Sequence, residues 1–269
     1  MRCRRICPAH IEMDPVRAFR LDGRTAFITG ASSGIGATLA EAFAEAGAAV
    51  ALVARRVDRI EPAAARLRAV GHRALAVTLD ITRTTDIAAA FDRVTAELGL
   101  PDIIVNNAGV AEPKTVLKTQ KESVLRTLDT NFVAAWEIAR EAAQRLIAAE
   151  RPGSIINVAS VLALGSAAGY ASYSASKAAL VQLTRTLALE LVRHRIRVNA
   201  LAPGWFISEM NAAFFSSTEG LAYARRIPPG RTGELSELIG PALLLASDAG
   251  SYVNATVLSV DGGHSAALV

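Results

Sequence analysis

Residues 24–56 read RTAFITGASSGIGATLAEAFAEAGAAVALVARR. TAFIT is a short apolar run of strand type, TGASSGIG is a glycine-rich turn, and residues 34–46 carry apolar side chains at helical spacing before a second apolar run, AVALVA. Two strands joined by a helix of this length are parallel, because a hairpin cannot connect them. The alternation then continues outward along the chain. It runs through a helix at 57–70, the strand RALAVTL, a helix at 84–98, DIIVNN, helices up to Ile147, SIINVAS, a helix at 172–192, IRVNALA, a helix at 234–247 and a final strand, TVLSVDGG. Strands that are almost continuously apolar are buried on both faces, so the expected fold is α/β: a single doubly wound parallel sheet of about seven strands with helices on both sides.

Length and composition agree with one such domain. The chain has 269 residues, 51% hydrophobic and 20% charged, and no uncharged apolar stretch approaches the length of a membrane span. Its net charge of +4 is scattered rather than striped and aromatic residues make up only 5%, which argues against nucleic acid or a membrane as partner. The domain is placed at residues 21–269, preceded by an N-terminal arm, residues 1–20, expected to be disordered or to reflect a translation start assigned upstream of Met13. Cys3 and Cys7 both fall in that arm, and with His10 they do not complete a four-ligand metal set. No metal is expected. The arm also lacks an apolar core of signal-peptide type, which makes a cytoplasmic location the expectation. After Pro203 the regular alternation loosens, and residues 205–230 are expected to form a substrate lid rich in aromatic and apolar residues: Trp205, Phe206, Met210, Phe214, Phe215 and Tyr223.

In the turn, Gly30, Gly34 and Gly36 stand where the backbone must bend sharply and come close to a ligand. Ser32, Ser33 and Ile35 complete the loop. The following helix N-terminus offers amide donors and a positive dipole to a pyrophosphate. Where the second strand ends, at Ala54, a sheet selective for NAD usually carries an acidic residue against the ribose; Arg55 and Arg56 follow here instead. A guanidinium pairs with a 2′-phosphate, so NADP(H) is the preferred cofactor, with NAD(H) possible.

Chemistry enters with Ser160, Tyr173 and Lys177. Tyr173 and Lys177 are four residues apart in a helical stretch and share one face, where a cation favours ionisation of a phenol. Ser160 closes the apolar run SIINVAS, at the carboxyl end of a strand where such sheets bind ligands. Alone, a tyrosine and a lysine at this spacing are an ordinary surface pair. Together with the cofactor turn they form a general acid–base and a hydroxyl suited to hydride transfer on a carbonyl.

TGASSGIG, Asp80 after the third strand, NNAG at 106–109, Asn131, and Ser160 with Tyr173 and Lys177 resemble the short-chain dehydrogenase/reductase family, and PG at 203–204 and VDGG at 260–263 extend the likeness over residues 21–263. The resemblance implies a Rossmann-type domain and an NAD(P)-dependent enzyme interconverting a ketone and a secondary alcohol. It implies that Asp80 and Ile81 border the adenine, that Asn107, Ala108 and Gly109 line the cofactor, and that Asn131 joins Ser160, Tyr173 and Lys177 in a catalytic tetrad. It further implies that Tyr173 and Lys177 contact the cofactor, that Pro203, Gly204, Phe206 and Ser208 shape the nicotinamide end, and that the protein is a homotetramer. Tyr170, with no lysine four residues on, is expected at the substrate mouth rather than in catalysis. PGWFISEMN and RIPPGRTGEL resemble both 3-oxoacyl-carrier-protein reductases and polyol dehydrogenases, which leaves the substrate open. The alternative is a regulator or scaffold that binds a dinucleotide without turnover.

Overall fold

A computed structural model of the chain describes residues 14–209 and 211–267. The expectations placed on Cys3, Cys7, His10, Met13 and Met210 lie outside those residues. Seven parallel strands form one sheet in the order β3-β2-β1-β4-β5-β6-β7, with β1 Thr25–Thr29, β2 Ala49–Ala54, β3 Ala74–Thr78, β4 Ile103–Asn106, β5 Gly153–Val158, β6 Ile196–Pro203 and β7 Val257–Val260. The helices between them are α1 Gly34–Glu45, α2 Val57–Ala69, α3 Ile87–Leu98, α4 Lys121–Leu128, α5 Ala134–Ala148, α6 Ala171–Leu191, α7 Ala212–Phe215, α8 Thr218–Ala224 and α9 Ile239–Ala246.

Alternate residues of each central strand enter opposite cores, which is why these strands read as unbroken apolar runs. Ala26 and Ile28 pack with Leu39 and Phe43 of α1, Leu67 of α2 and Leu245 of α9. Phe27, between them, faces Phe91 of α3, Ile138 of α5 and Ala188 of α6. The Phe27 and Phe91 rings stack with centroids 4.4 Å apart. The chain leaves β1 to build outward through β2 and β3, then returns to place β4 on the other side of β1. That reversal opens a crevice at the carboxyl ends of β1 and β4, the place where open α/β sheets take ligands.

Three expected helices differ in detail. The run from 84 begins with a 3-10 turn before α3, the run from 234 begins with another before α9, and between α4 and α5 residues Asp129–Val133 form a π turn. Sequence periodicity does not register one inserted residue, and such turns often mark functional positions. Asn131 sits inside this one.

Candidate active site

At the carboxyl edge of β1, Thr29 ties the glycine turn to the neighbouring strand. Its hydroxyl accepts hydrogen bonds from the backbone N–H groups of Asn107 (3.0 Å) and Ala108 (3.1 Å), while the Asn107 amide donates to the Thr29 carbonyl at 2.9 Å. This clamp leaves no room for a side chain at Gly30 or Gly36. A Cβ on Gly36 would stand 2.5 Å from Asn107 Nδ2 and 2.5 Å from the Gly30 carbonyl oxygen. Gly34 is needed for a different reason, since its φ of +56° lies in the left-handed region that other residues avoid. The turn and the first residues of α1 therefore present the backbone of Gly30 and Gly34 to the cleft, alongside Ser33 and Ile35.

A cleft of about 500 Å³ runs from this turn to Ser160, Tyr173 and Lys177. Gly30, Ser33, Gly34, Ile35 and Arg56 line it, as do Asn107, Ala108 and Gly109, and Ser160, Tyr173, Lys177, Pro203, Gly204, Phe206 and Ser208 are among its other lining residues. Residues from six separate segments thus converge on one space. Ser32 reaches that region through Arg56, whose Nη2 donates to Ser32 Oγ at 2.9 Å and to Ser33 Oγ at 2.7 Å. Arg55 does not join Arg56: it lines an adjoining groove with Asp80, whose carboxylate accepts from Thr82 N and Oγ1. Ile81 is buried in the core beside it.

At the chemical end, Lys177 is only 3% exposed and its ammonium donates to the Val158 carbonyl at 2.7 Å, 5.8 Å from the centre of the Tyr173 ring. Burial pulls the Lys177 ammonium down to about 8. Burial pushes the Tyr173 phenol up, and the nearby Ser160 hydroxyl draws it partly back. This corrects the expectation that the phenol is lowered beside Lys177: desolvation of the buried ring is the larger effect. Ser160 Oγ accepts the backbone N–H of Leu162 at 3.1 Å, which holds the hydroxyl at the strand end.

Asn131 does not line the cleft. Its carboxamide accepts from Val110 N at 2.8 Å and donates to Val110 O at 2.9 Å and to Ser176 Oγ at 3.0 Å. It nevertheless borders the same point, because a Cβ on Gly109 would stand 3.2 Å from Asn131 Oδ1 and 3.5 Å from Lys177 Nζ. Gly109 is the gap through which the two polar groups face one another.

The enoyl-(acyl carrier protein) reductase family model, a model of short-chain dehydrogenases, matches residues 30–265. The chain belongs to the short-chain dehydrogenase/reductase family. Among relatives of this oxidoreductase, cis-4-hydroxycyclohexanecarboxylate dehydrogenase of Sinomonas cyclohexanicum is 40% identical over 90% of this chain and 97% of its own. 3beta-Hydroxysteroid dehydrogenase 1 of Eggerthella lenta is 38% identical over 90% and 94%. A crystal structure of a gluconate 5-dehydrogenase from Burkholderia cenocepacia J2315, in complex with NADP and tartrate, superimposes with a TM-score of 0.90 at 36% identity, covering 94% of this chain and 100% of that one.

Two partners of this short-chain dehydrogenase's site escape sequence reasoning. One is Glu209, whose Oε2 accepts from Arg56 Nη1 at 2.9 Å across 153 residues of chain. The other is a buried ladder in which Asn106 Nδ2 donates to Asn157 Oδ1 at 2.9 Å and Asn157 Nδ2 to Thr184 Oγ1 at 2.8 Å, joining β4 and β5 to α6. An asparagine closing each of two apolar strands, DIIVNN and SIINVAS, was the available signal for the ladder. Nothing local marks Glu209. Among the described residues no group of three His, Cys, Asp or Glu could hold a metal, and no helix is long and apolar enough to cross a membrane.

Proposed function

We propose that the protein is an NADP-dependent oxidoreductase that interconverts a ketone and a secondary alcohol, with Tyr173 as acid and base. The observation that carries this reading is that Ser160, Tyr173 and Lys177 line the same cleft as the glycine turn and Arg56. The turn fits a dinucleotide: Gly30 and Gly36 let it fold tightly against Asn107, Gly30 and Gly34 line the cleft, and the N-terminus of α1 faces the cleft with amide donors for a pyrophosphate. Ser32, Ser33 and Arg56 would hold the 2′-phosphate end, Asp80 and Ile81 the adenine with Arg55 beside Asp80, and Asn107, Ala108, Gly109, Pro203, Gly204, Phe206 and Ser208 the nicotinamide half. Hydride chemistry is supplied by the nicotinamide of the bound cofactor. Ser160 donates a hydrogen bond to the substrate oxygen and fixes its position, and Tyr173 delivers the proton to that oxygen in reduction and takes it in oxidation. Lys177 keeps a positive charge beside the phenol, and Asn131 holds the Val110 backbone and Ser176 in place behind it.

The reactive end of the cleft favours an apolar ring substrate. Leu162, Pro113, Tyr170 and Trp205 line it, and Trp205 is backed edge-on by Phe215 and Tyr223. The cations among the described lining residues are Arg56 and Lys177, and neither is free at that end to bind a carboxylate. An uncharged ring alcohol, such as the hydroxysteroid named for one relative, fits this lining better than an open-chain sugar acid does; the hydroxycyclohexanecarboxylate named for another shares the ring but carries a carboxylate that this lining does not meet. Residues 205–230, with α7 and α8, act as the lid. Assembly as a homotetramer accounts for the exposed Leu125, Val133 and Trp136 on α4, α5 and the turn between them, and for Leu189 and Val192 at the end of α6; light scattering that gave a monomer at working concentration would refute it.

The test is a panel of cyclohexanols, cyclohexanones, hydroxysteroids and sugar acids with NADP(H) and NAD(H), run on the wild type and Tyr173→Phe. Turnover of ring alcohols with NADP that disappears in Tyr173→Phe is the expected result. If the wild type is as inert as the variant while cofactor still binds, the protein is a dinucleotide-binding regulator instead.

A further inference from the structure

Arg56 has five N–H donors, and the structure occupies it from three sides: Nε and Nη2 on Ser32, Nη2 on Ser33, and Nη1 on the Glu209 carboxylate at 2.9 Å. Two of these partners belong to the glycine turn. The third belongs to the excursion after β6, one residue beyond Ser208 and four beyond Trp205. The ion pair therefore ties the proposed lid to the place where a ribose 2′-substituent arrives. Side-chain exposures of 43% and 54% put the pair largely in water, so it contributes little stability and is easily exchanged.

We propose that Glu209 is a latch that a 2′-phosphate displaces, which makes it a determinant of cofactor choice and couples the cofactor to the lid. This rests on the NADP reading of the site. A phosphomonoester on Arg56 brings a second anion to the guanidinium that Glu209 holds, and the two repel at that distance. Either the carboxylate leaves, moving residues 205–209 with it, or the phosphate binds less tightly. A 2′-hydroxyl carries no charge and leaves the pair as it stands. Glu209 thus opposes the phosphate, and the lid registers which dinucleotide is present.

The experiment uses 2′,5′-ADP and 5′-AMP as probes, because neither carries a nicotinamide that would touch Trp205 directly. Calorimetry gives their affinities for the full-length wild type and for Glu209→Gln. The chain has two tryptophans, so a Trp136→Phe background leaves Trp205, whose indole donates to Tyr223 Oη at 3.1 Å, as the emission probe of the lid. The expected result is that Glu209→Gln tightens 2′,5′-ADP by roughly three- to tenfold, leaves 5′-AMP unchanged, and abolishes a Trp205 emission change that 2′,5′-ADP produces and 5′-AMP does not. If the variant binds 2′,5′-ADP no more tightly than the wild type, or Trp205 does not respond, the latch is wrong while the NADP reading stands. If the wild type itself shows no preference for 2′,5′-ADP over 5′-AMP, the NADP reading fails and the latch fails with it.

Discussion

The ammonium of Lys177 donates its hydrogen bond to the backbone carbonyl of Val158, 2.7 Å away, from a side chain that is 3% exposed. A buried cation with one neutral acceptor is poorly compensated, and the fall from 10.5 to about 8 corresponds to a cost of roughly 3 kcal/mol at neutral pH. Lowering the folded-state value means that between about pH 8 and 10.5 the unfolded chain binds more protons than the folded one. Stability contributed at this site is therefore lowest below pH 8 and rises through that window. Lys177→Met should lose activity yet raise the melting temperature by several degrees at pH 7, after roughly 1 kcal/mol is returned for the unpaired Val158 carbonyl. The gain should shrink at pH 10, which thermal melts at the two pH values will show.

Tyr173→Phe removes the hydroxyl proposed to transfer the proton and should lower kcat by about 10²–10⁴. Dinucleotide affinity should change little, as calorimetry with NADP would reveal. In the wild type, burial holds the phenol above its ordinary range. Reduction, which needs the protonated phenol, should stay level through neutral pH, while alcohol oxidation, which needs the phenolate, should climb as pH rises. A kcat/KM profile for oxidation that fell between pH 7 and 9 would contradict the assignment.

Asn131→Ala leaves the Val110 N–H and carbonyl without their side-chain partner and releases Ser176 Oγ. A buried loss of this kind should cost about 2–4 kcal/mol. Hydrogen exchange would locate the effect at residues 109–113, with faster exchange there than in β4. Asn131→Asp keeps an acceptor for Val110 N–H but loses both donated bonds, so it should rescue only part of the loss.

Gly36→Ala places a methyl group 2.5 Å from both Asn107 Nδ2 and the Gly30 oxygen. Backbone has to shift to admit it, at roughly 1–3 kcal/mol. The melting temperature and dinucleotide affinity should fall together. Gly240→Ala, in α9, meets no atom within 4 Å and serves as the control, with a small gain from helix propensity.

The layered fold was legible because every central strand is apolar on both faces, and only a sheet covered twice needs that. The meeting of Ser160, Tyr173 and Lys177 in one cleft is legible for a local reason: Tyr173 and Lys177 are one helical turn apart, and Ser160 follows the end of a strand. Arg55 and Arg56 were read as a pair, yet adjacent residues at a strand end point to different sides, and the structure divides them between two grooves. The direction of the Tyr173 shift is not legible because a sequence places a phenol near a cation without showing how deeply the ring is buried. Glu209 was unreadable for the plainest reason, since its partner lies 153 residues away on another element.

The crowding of Gly30, Gly36 and Asn107 into mutual contact has an evolutionary side. A turn whose atoms are already touching tolerates almost no variation, so changes of cofactor must be written elsewhere. The rim formed by Arg55, Arg56 and Glu209 is exposed and separable from that knot. A lineage, or an engineer, can rewrite that rim repeatedly while the inner machinery is inherited unchanged.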